Sequence, residues 1–181
     1  MYLLNNEQIR AAIQRDDIGM WCFSEDMLEH SYYYFRLDSE IEKEDKTGVW
    51  QRKQLAQDEP LSVLPDQCVR VQSYESFSLS ARIFALLGSK TELARRGVDL
   101  QHGLTMDPLY PSAGVLATGE TAPTYARLEM ALVNHSTTTQ DVRWGSDALG
   151  KICFFNIGDT YPVLPSPRAA KQYKERIDPV N

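Results

Sequence analysis

Three short segments hold the side chains most able to do chemistry. The first is GSKTELARRG, residues 88–97, which follows the hydrophobic run Ala81–Leu87 and sets Lys90, Thr91, Arg95 and Arg96 between two glycines. If Leu93–Arg96 begin a helix, then Lys90, Thr91 and the nearby backbone N–H groups lie at its positive end, suited to phosphate oxygens. Arg95 could add a bidentate contact. An ordinary helix start with surface cations is the other reading of this spacing. The second segment is Met106-Asp107-Pro108-Leu109-Tyr110. Asp-Pro makes a turn whose carboxylate can face a ligand hydroxyl or a water, or bond its own backbone. The third is ARLEMALVN, residues 126–134. In a strand, Leu128, Met130 and Leu132 share one face, and Glu129 shares the other with Ala131 and Val133. A carboxylate among apolar neighbours either pairs with a cation or binds its proton more tightly, which suits general acid–base work. A solvated outer face is the alternative.

Other chemistries lack their residues. Zinc-dependent base deamination needs His-x-Glu and Pro-Cys-x-x-Cys, and neither occurs. His30, His102 and His135 do not pair at metal spacing, so no protein metal site is expected. There is no Gly-x-Ser-x-Gly elbow. Gly114-x4-Gly119-Glu120-Thr121 superficially resembles a phosphate-binding loop, but Glu120 replaces the lysine and would repel phosphate. Cys22, Cys68 and Cys153 are odd in number and contain no CxxC, so they read as small buried hydrophobes without a disulfide framework.

The elements that must position these side chains are mostly strands. A chain of 181 residues, 43% hydrophobic and 24% charged, reads as one soluble domain spanning residues 1–181. Its net charge of −6 speaks against broad contact with duplex nucleic acid but leaves room for a local basic pocket. The expected setting is cytoplasmic, since no signal-peptide pattern or membrane-length apolar run is seen. Asn5 or Asn6 can cap a short helix through Arg15, with Ile9, Ala12 and Ile13 as its apolar stripe. SYYYFRL (31–37) reads as a strand, and the charged stretch 38–60 as a loop or exposed hairpin. Short strand-like runs follow: LSVL, QCVRVQSY, SFSLSARIFALL, ARLEMALVN, TTQDVRW and GKICFFNI, a spacing that predicts a mainly-β barrel or sandwich. Residues 111–123 look like a long loop, and loops of that length are often functional. Residues 161–181 look like a tail.

These motifs, in this order, resemble the trimeric dCTP deaminase and dUTPase superfamily. Its deaminases carry Gly-Arg-Ser-Ser-Leu-Ala-Arg-x-Gly. Leu93, Ala94, Arg95 and Gly97 match outright, Lys90 stands for the arginine and Thr91 for the first serine. Glu92 stands where a second serine is usual, and Ser89 where the glycine is. The family's Ile-Asp-Pro-Gly-Phe/Tyr turn corresponds to Met106–Tyr110, and its Leu-Glu strand with a downstream Asn to Leu128, Glu129 and Asn134. Trp144-Gly145, Leu149-Gly150 and Phe154 match a later strand pair, and Lys171-x-Tyr173 a tail element.

The resemblance implies a distorted jelly-roll-like β-barrel of dUTPase-like type with short helices. It also implies a homotrimer with sites at subunit interfaces, a pyrimidine deoxynucleoside triphosphate as substrate, and Mg²⁺ carried in with it. It implies that Lys90, Thr91 and Arg95 hold phosphates and help place water, with Glu92 within the same motif. Glu129 would shuttle protons for attack of water at C4 of cytosine. Asp107 would bind the 3′-hydroxyl, or activate water in a dUTPase. Tyr110 completes that turn, Gly103 and Leu104 would read the pyrimidine edge, and Lys171 and Tyr173 would close a lid. Departures are Glu92, the long segment between Tyr110 and Glu129, His102-Gly103-Leu104 in place of Thr-Ala-Gly, and Glu175-Arg176 near the place of a tail glutamine. The alternatives on this template are a dUTPase or bifunctional enzyme, and a nucleotide-binding module without turnover.

Overall fold

The structure, a computed structural model, describes residues 1–111 and 125–158. In chain order the strands and helices are β1 (Tyr2–Leu3), α1 (Asn6–Gln14), β2 (Ile18–Trp21), β3 (Tyr33–Glu44), β4 (Trp50–Gln54), β5 (Leu61–Val63), β6 (Cys68–Leu79) and β7 (Ile83–Ser89). Then come α2 (Thr91–Arg95), β8 (Val98–Gln101), β9 (Thr105–Met106), β10 (Ala126–Asn134), β11 (Gln140–Val142) and β12 (Ala148–Asn156). A single 3₁₀ turn covers Glu25–Met27. The main sheet runs β8-β10-β6-β3-β12-β7-β9, with β1 on β12, β2 on β6 and β4 on β3. Strands β11 and β5 pair separately. The sheet is antiparallel and curls into a half-barrel, as the mainly-β reading expected. The Ser89 hydroxyl donates to the Leu100 carbonyl (3.4 Å), so the ends of β7 and β8 meet across the curl.

Local sequence explains most elements. Asn5 caps α1 in a capping box with Gln8, and Ile9 and Ala12 bury the inner stripe. Along β10, Leu128, Met130, Leu132 and Asn134 face the core, the alternation a half-buried strand requires. The stretch 38–60 is a hairpin in its first half: β3 runs on to Glu44 and pairs with β4. The Asp45 carboxylate closes its loop by accepting from the backbone N–H groups of Thr47 and Val49. QCVRVQSY and SFSLSARIFALL do not form as two runs. One strand, β6, spans Cys68–Leu79, and the break falls between Leu79 and Ile83. Its inward face reads Val69, Val71, Ser73, Glu75, Phe77, Leu79, so two polar residues interrupt the hydrophobic alternation without interrupting the strand.

Those two residues mark the irregular centre of the sheet. Between β3 and β6 the register passes from Leu37↔Ser73 to Ile41↔Val71. Between β10 and β6 it passes from Arg127↔Ser76 to Glu129↔Gln72. Side chains satisfy the backbone where the ladders slip. The Ser73 hydroxyl donates to the Glu75 carbonyl (2.6 Å) and accepts from the Leu128 N–H (2.8 Å). Glu75 is fully buried and accepts from Arg36 Nε (2.7 Å), the Arg36 backbone N–H (2.9 Å) and the Tyr33 hydroxyl (3.2 Å). On the neighbouring slip, Arg127 Nη1 pairs with the buried Asp38 carboxylate at 2.5 Å. Among the described residues, no buried side-chain nitrogen or oxygen lacks a hydrogen-bond partner.

Removing one member of a buried pair strands the other charge, at a cost of about 3–5 kcal/mol. Glu75→Ala is therefore expected to lose that much stability in urea titration, whereas Arg10→Ala, at the exposed Arg10–Glu25 pair, loses under about 1 kcal/mol. Equal losses at the two positions would refute this ranking.

Candidate functional site

The phosphate-motif residues sit on and around α2, and their environments differ. The helix starts at Thr91, two residues earlier than the spacing predicted, and is five residues long. So short a helix has little macrodipole, and anion binding here rests on side chains. Lys90 occupies the cap position, and its ammonium bonds Glu92 Oε2 at 2.7 Å while lying 5.6 Å from the Tyr34 ring centre. That ammonium, chiefly through the hydrogen bond, lowers the Glu92 carboxyl from its ordinary value. The departure from the family serine thus gives Lys90 an internal anion. Arg96 is structural: it donates to Gln140 Oε1 (3.0 Å) and to the Asp141 carbonyl (2.6 Å). Thr91 and Arg95 are exposed and make no side-chain hydrogen bond or ion pair among the described residues. Gly97 ends the segment at φ +77°, where a Cβ would press on Ser136.

A second group gathers along β10 and the turn that precedes it. Glu129 is exposed on the outer face, and the solvated alternative for this residue is the one realised. Its side chain has no hydrogen bond or ion pair among the described residues, so the apolar enclosure expected from its neighbours is not present in the single chain. It lines a groove of about 250 Å³ with Gln72 and with the charged side chains of β3, β4 and β6. Tyr110 donates its hydroxyl to the Arg127 carbonyl (3.1 Å). Burial first, and the Glu129 charge second, push its phenol up to about 12. Asp107 is exposed. Its carbonyl accepts from the Tyr110 N–H (3.1 Å), and its carboxylate makes no hydrogen bond among the described residues, unlike a self-bonding turn aspartate. The ladder between β8 and β10 ends at Gln101↔Ala131, and that register, if continued, would set Gly103 level with Glu129. A Cβ on Gly103 would meet nothing within 4 Å, so space there is open to a ligand. Leu104 is 74% exposed, and its carbonyl accepts from the Leu87 N–H.

The single chain therefore brings Glu129 near Tyr110 and sets α2 elsewhere. The residues that follow α2 are tied to the far end of β10: the His135 N–H donates to the Gly97 carbonyl (2.8 Å). Among the described residues, no hydrogen bond or ion pair joins α2 to Glu129. Asn134 has no spare bond for a ligand. Its amide serves the Val63 and Thr138 carbonyls, and its oxygen accepts from the N–H and hydroxyl of Ser136. Lys171 and Tyr173, the 161–181 tail and positions 112–123 of the long loop lie outside the described residues. Sequence reasoning missed the groove beside Glu129, because one of its walls comes from the charged stretch 38–60. The alternation of that stretch with Ile41 inward was the available signal.

No protein-family model and no curated protein matches the sequence. Among solved structures, 2′-deoxycytidine 5′-triphosphate deaminase from Agrobacterium tumefaciens aligns with a TM-score of 0.63 over 84% of this chain, at 16% identity. This chain spans about half, 47%, of that protein's length. The native EIAV dUTPase aligns at a TM-score of 0.40 and 9% identity, over 75% of this chain and 96% of its own. A dUTPase of Staphylococcus bacteriophage 80alpha aligns at 0.42 and 10% identity, over 82% of this chain and 96% of its own. The chain has the dCTP deaminase/dUTPase-like fold, and the deaminase alignment carries that assignment.

The turn itself offers a local test. Leu109 stands where the family turn has glycine, and it adopts φ +65°. A left-handed conformation costs a side-chain-bearing residue about 1–2 kcal/mol. At ordinary positions glycine is less stable than alanine by roughly 0.5–1 kcal/mol. At 109 the order is expected to invert, with Leu109→Gly at least as stable as Leu109→Ala in thermal or urea unfolding. Alanine outperforming glycine would show that the turn does not hold this backbone in solution.

Proposed function

We propose that this chain is a nucleotide hydrolase of dCTP deaminase type, converting dCTP and water to dUTP and ammonia without zinc. The observation that carries the reading is Glu129, an uncommitted carboxylate at the head of a groove on a deaminase-like fold. In this chemistry water adds to C4 of the cytosine ring as Glu129 takes one of its protons and delivers it to N3. Glu129 then moves the proton of the new C4 hydroxyl to the exocyclic nitrogen, the C4–N bond breaks, ammonia leaves, and the C4 carbonyl forms with N3–H retained. Positioned polar groups in a site closed to solvent supply the remaining stabilisation of the addition intermediate.

Thr91 and Arg95, exposed and unengaged, are the side chains best free to take phosphate oxygens. Lys90 would join them by exchanging Glu92 for phosphate. Since no hydrogen bond or ion pair joins α2 to Glu129 among the described residues, the reading takes the working site to be assembled between copies of a homotrimer. Gly103 and Leu104 would present backbone to the pyrimidine, and Asp107 would meet the 3′-hydroxyl. Lys171 and Tyr173 would close over the triphosphate. Among the described residues no group of three His, Cys, Asp or Glu is placed to hold a metal ion. Magnesium is accordingly read as part of the substrate, where it offsets phosphate charge. Among the described residues no helix is long and apolar enough to cross a membrane, and the enzyme is proposed to act in the cytoplasm.

A second reading has its own support. The Asp107 carboxylate is exposed and unbonded, free to activate a water. Attack of that water on the α-phosphate of dUTP would release pyrophosphate and give dUMP, alone or after deamination. The Lys90–Glu92 pair favours a third, nucleotide binding without turnover, because it sets a negative charge in the phosphate motif.

Purified protein with Mg²⁺ and either dCTP or dUTP, resolved by anion-exchange chromatography, separates these readings. The expected product from dCTP is dUTP, with Glu129→Gln lowering the rate by about 10²–10⁴-fold. Full activity in Glu129→Gln would remove the deaminase mechanism. A dUMP product lost in Asp107→Asn would move the assignment to the pyrophosphatase. Glu92→Ser is expected to tighten dCTP binding several-fold by releasing Lys90, measured as Kd by calorimetry. Unchanged or weaker binding would mean that Lys90 does not meet the phosphates.

A further inference from the structure

The groove beside Glu129 is lined by six polar side chains, and four of them are occupied with one another. Arg52 pairs with Glu40 (3.3 Å) and Glu42 (3.4 Å). Arg70 pairs with Glu42 (3.5 Å) and lies over the Trp50 ring, 3.9 Å from its centre. The remaining two, Glu129 and Gln72, make no side-chain hydrogen bond or ion pair among the described residues. They are also direct cross-strand partners, Glu129 on β10 and Gln72 on β6. Opposed residues of an antiparallel pair carry Cβ atoms about 4.5–5.5 Å apart on one face. The register that opposes them is fixed one residue away by Ser73, whose hydroxyl holds Leu128 of β10 and the Glu75 carbonyl of β6. Gln72 is half-buried and lines the groove.

We infer that Gln72 is a substrate-binding residue of this site, contacting ring nitrogen N3 on the same planar edge on which Glu129 acts. This rests on the proposed deaminase reading and adds to it a partner for that ring nitrogen. An ionised carboxylate only accepts hydrogen bonds, whereas a carboxamide also donates. Side by side they match an edge that offers an amino donor next to a ring-nitrogen acceptor. Cytosine has that edge: N4–H₂ toward Glu129 and N3 toward the Gln72 Nε2–H. Uracil presents a carbonyl where the amino group was and an N–H at N3. It therefore sets an acceptor against the carboxylate, while its N3–H is met by Gln72 Oε1 once the amide turns over. The carboxylate, not the amide, thus favours substrate over deaminated product.

The test measures Kd by calorimetry, with Mg²⁺, for dCTP and for its 3-deaza analogue, which lacks the N3 acceptor. The proteins are wild type and Gln72→Ala, with thermal midpoints recorded for both. Wild type is expected to bind dCTP about five- to tenfold more tightly than the analogue, the usual yield of one neutral hydrogen bond. In Gln72→Ala the preference should disappear while Tm is unchanged, because the side chain makes no hydrogen bond among the described residues. A preference retained in Gln72→Ala, or absent from a wild type that binds dCTP normally, overturns the role of Gln72 and leaves the deaminase reading standing. A wild type that binds neither nucleotide overturns both.

Discussion

One buried charge pair sets the geometry from which the candidate site follows. Glu75 is fully buried, and the Arg36 side chain is 13% exposed. Moving two ions out of water costs more than their attraction returns unless every remaining bond is made. Here the bonds are made. Glu75 accepts from Arg36 twice and from Tyr33, and the guanidinium also reaches the Cys22 carbonyl (2.8 Å) and the Gly145 carbonyl (3.3 Å). Both of those residues are left-handed, at φ +63° and +70°. The pair thus ties β3 and β6 to the turn after β2 and the turn before β12. Its contribution is better seen as specifying one arrangement than as adding net stability. Ser73 carries the effect outward. It is bonded to the backbone of Glu75 on one side and of Leu128 on the other, and it fixes the ladder step at which Glu129 opposes Gln72.

How much of this could be read from the chain depends on whether the cause was local. Strand β10 was legible to its ends, because Leu128, Met130 and Leu132 alternate without interruption. The α1 cap was legible in the same way, since Asn5 and Gln8 are three residues apart. The continuity of β6 was not, because Ser73 and Glu75 occupy inward positions where a hydrophobic pattern expects apolar residues. Their partners, Arg36 and Leu128, lie far off in sequence. The motif resemblance supplied the fold. It could not show that Leu109 takes the left-handed conformation of a glycine, nor that Glu92 would turn back on Lys90. Glu129 was placed on the correct face, but alternation left its surroundings open between apolar enclosure and solvent, and solvent is what the structure shows. Face depends on alternation within the strand, whereas surroundings depend on which strands lie alongside.

The electrostatics of α2 resolve the apparent conflict between an acidic chain and a polyanionic ligand. Of the cations in residues 88–97, Arg96 supports the turn beyond β10, Lys90 is compensated by Glu92, and Arg95 is left open. The Lys90–Glu92 contact is solvent-accessible, with side chains 28% and 69% exposed, and ion pairs in water are weak and screened. A triphosphate bearing several charges competes well against one exposed carboxylate. On the proposed reading, selection of a triphosphate would depend on simultaneous contacts from Thr91, Arg95 and the displaced Lys90, which a single small anion cannot make.

The same reasoning defines what must happen around Glu129. A carboxylate shuttles protons efficiently when bulk water is excluded and the reacting groups are fixed. In the isolated chain Glu129 faces solvent, beside the half-buried Ala131 and Val133 on the outer face of β10. The groove supplies rigid walls on a paired sheet, and its four mutually bound charged side chains leave little to compete with a substrate. It does not supply a roof. On the proposed reading the substrate ring would itself cover part of the carboxylate. A second copy of the chain, bringing its own α2 against this face, would add both the phosphate contacts that Glu129 lacks and the exclusion of water. On the proposed reading, α2 and Glu129 would be two halves of a site completed by assembly.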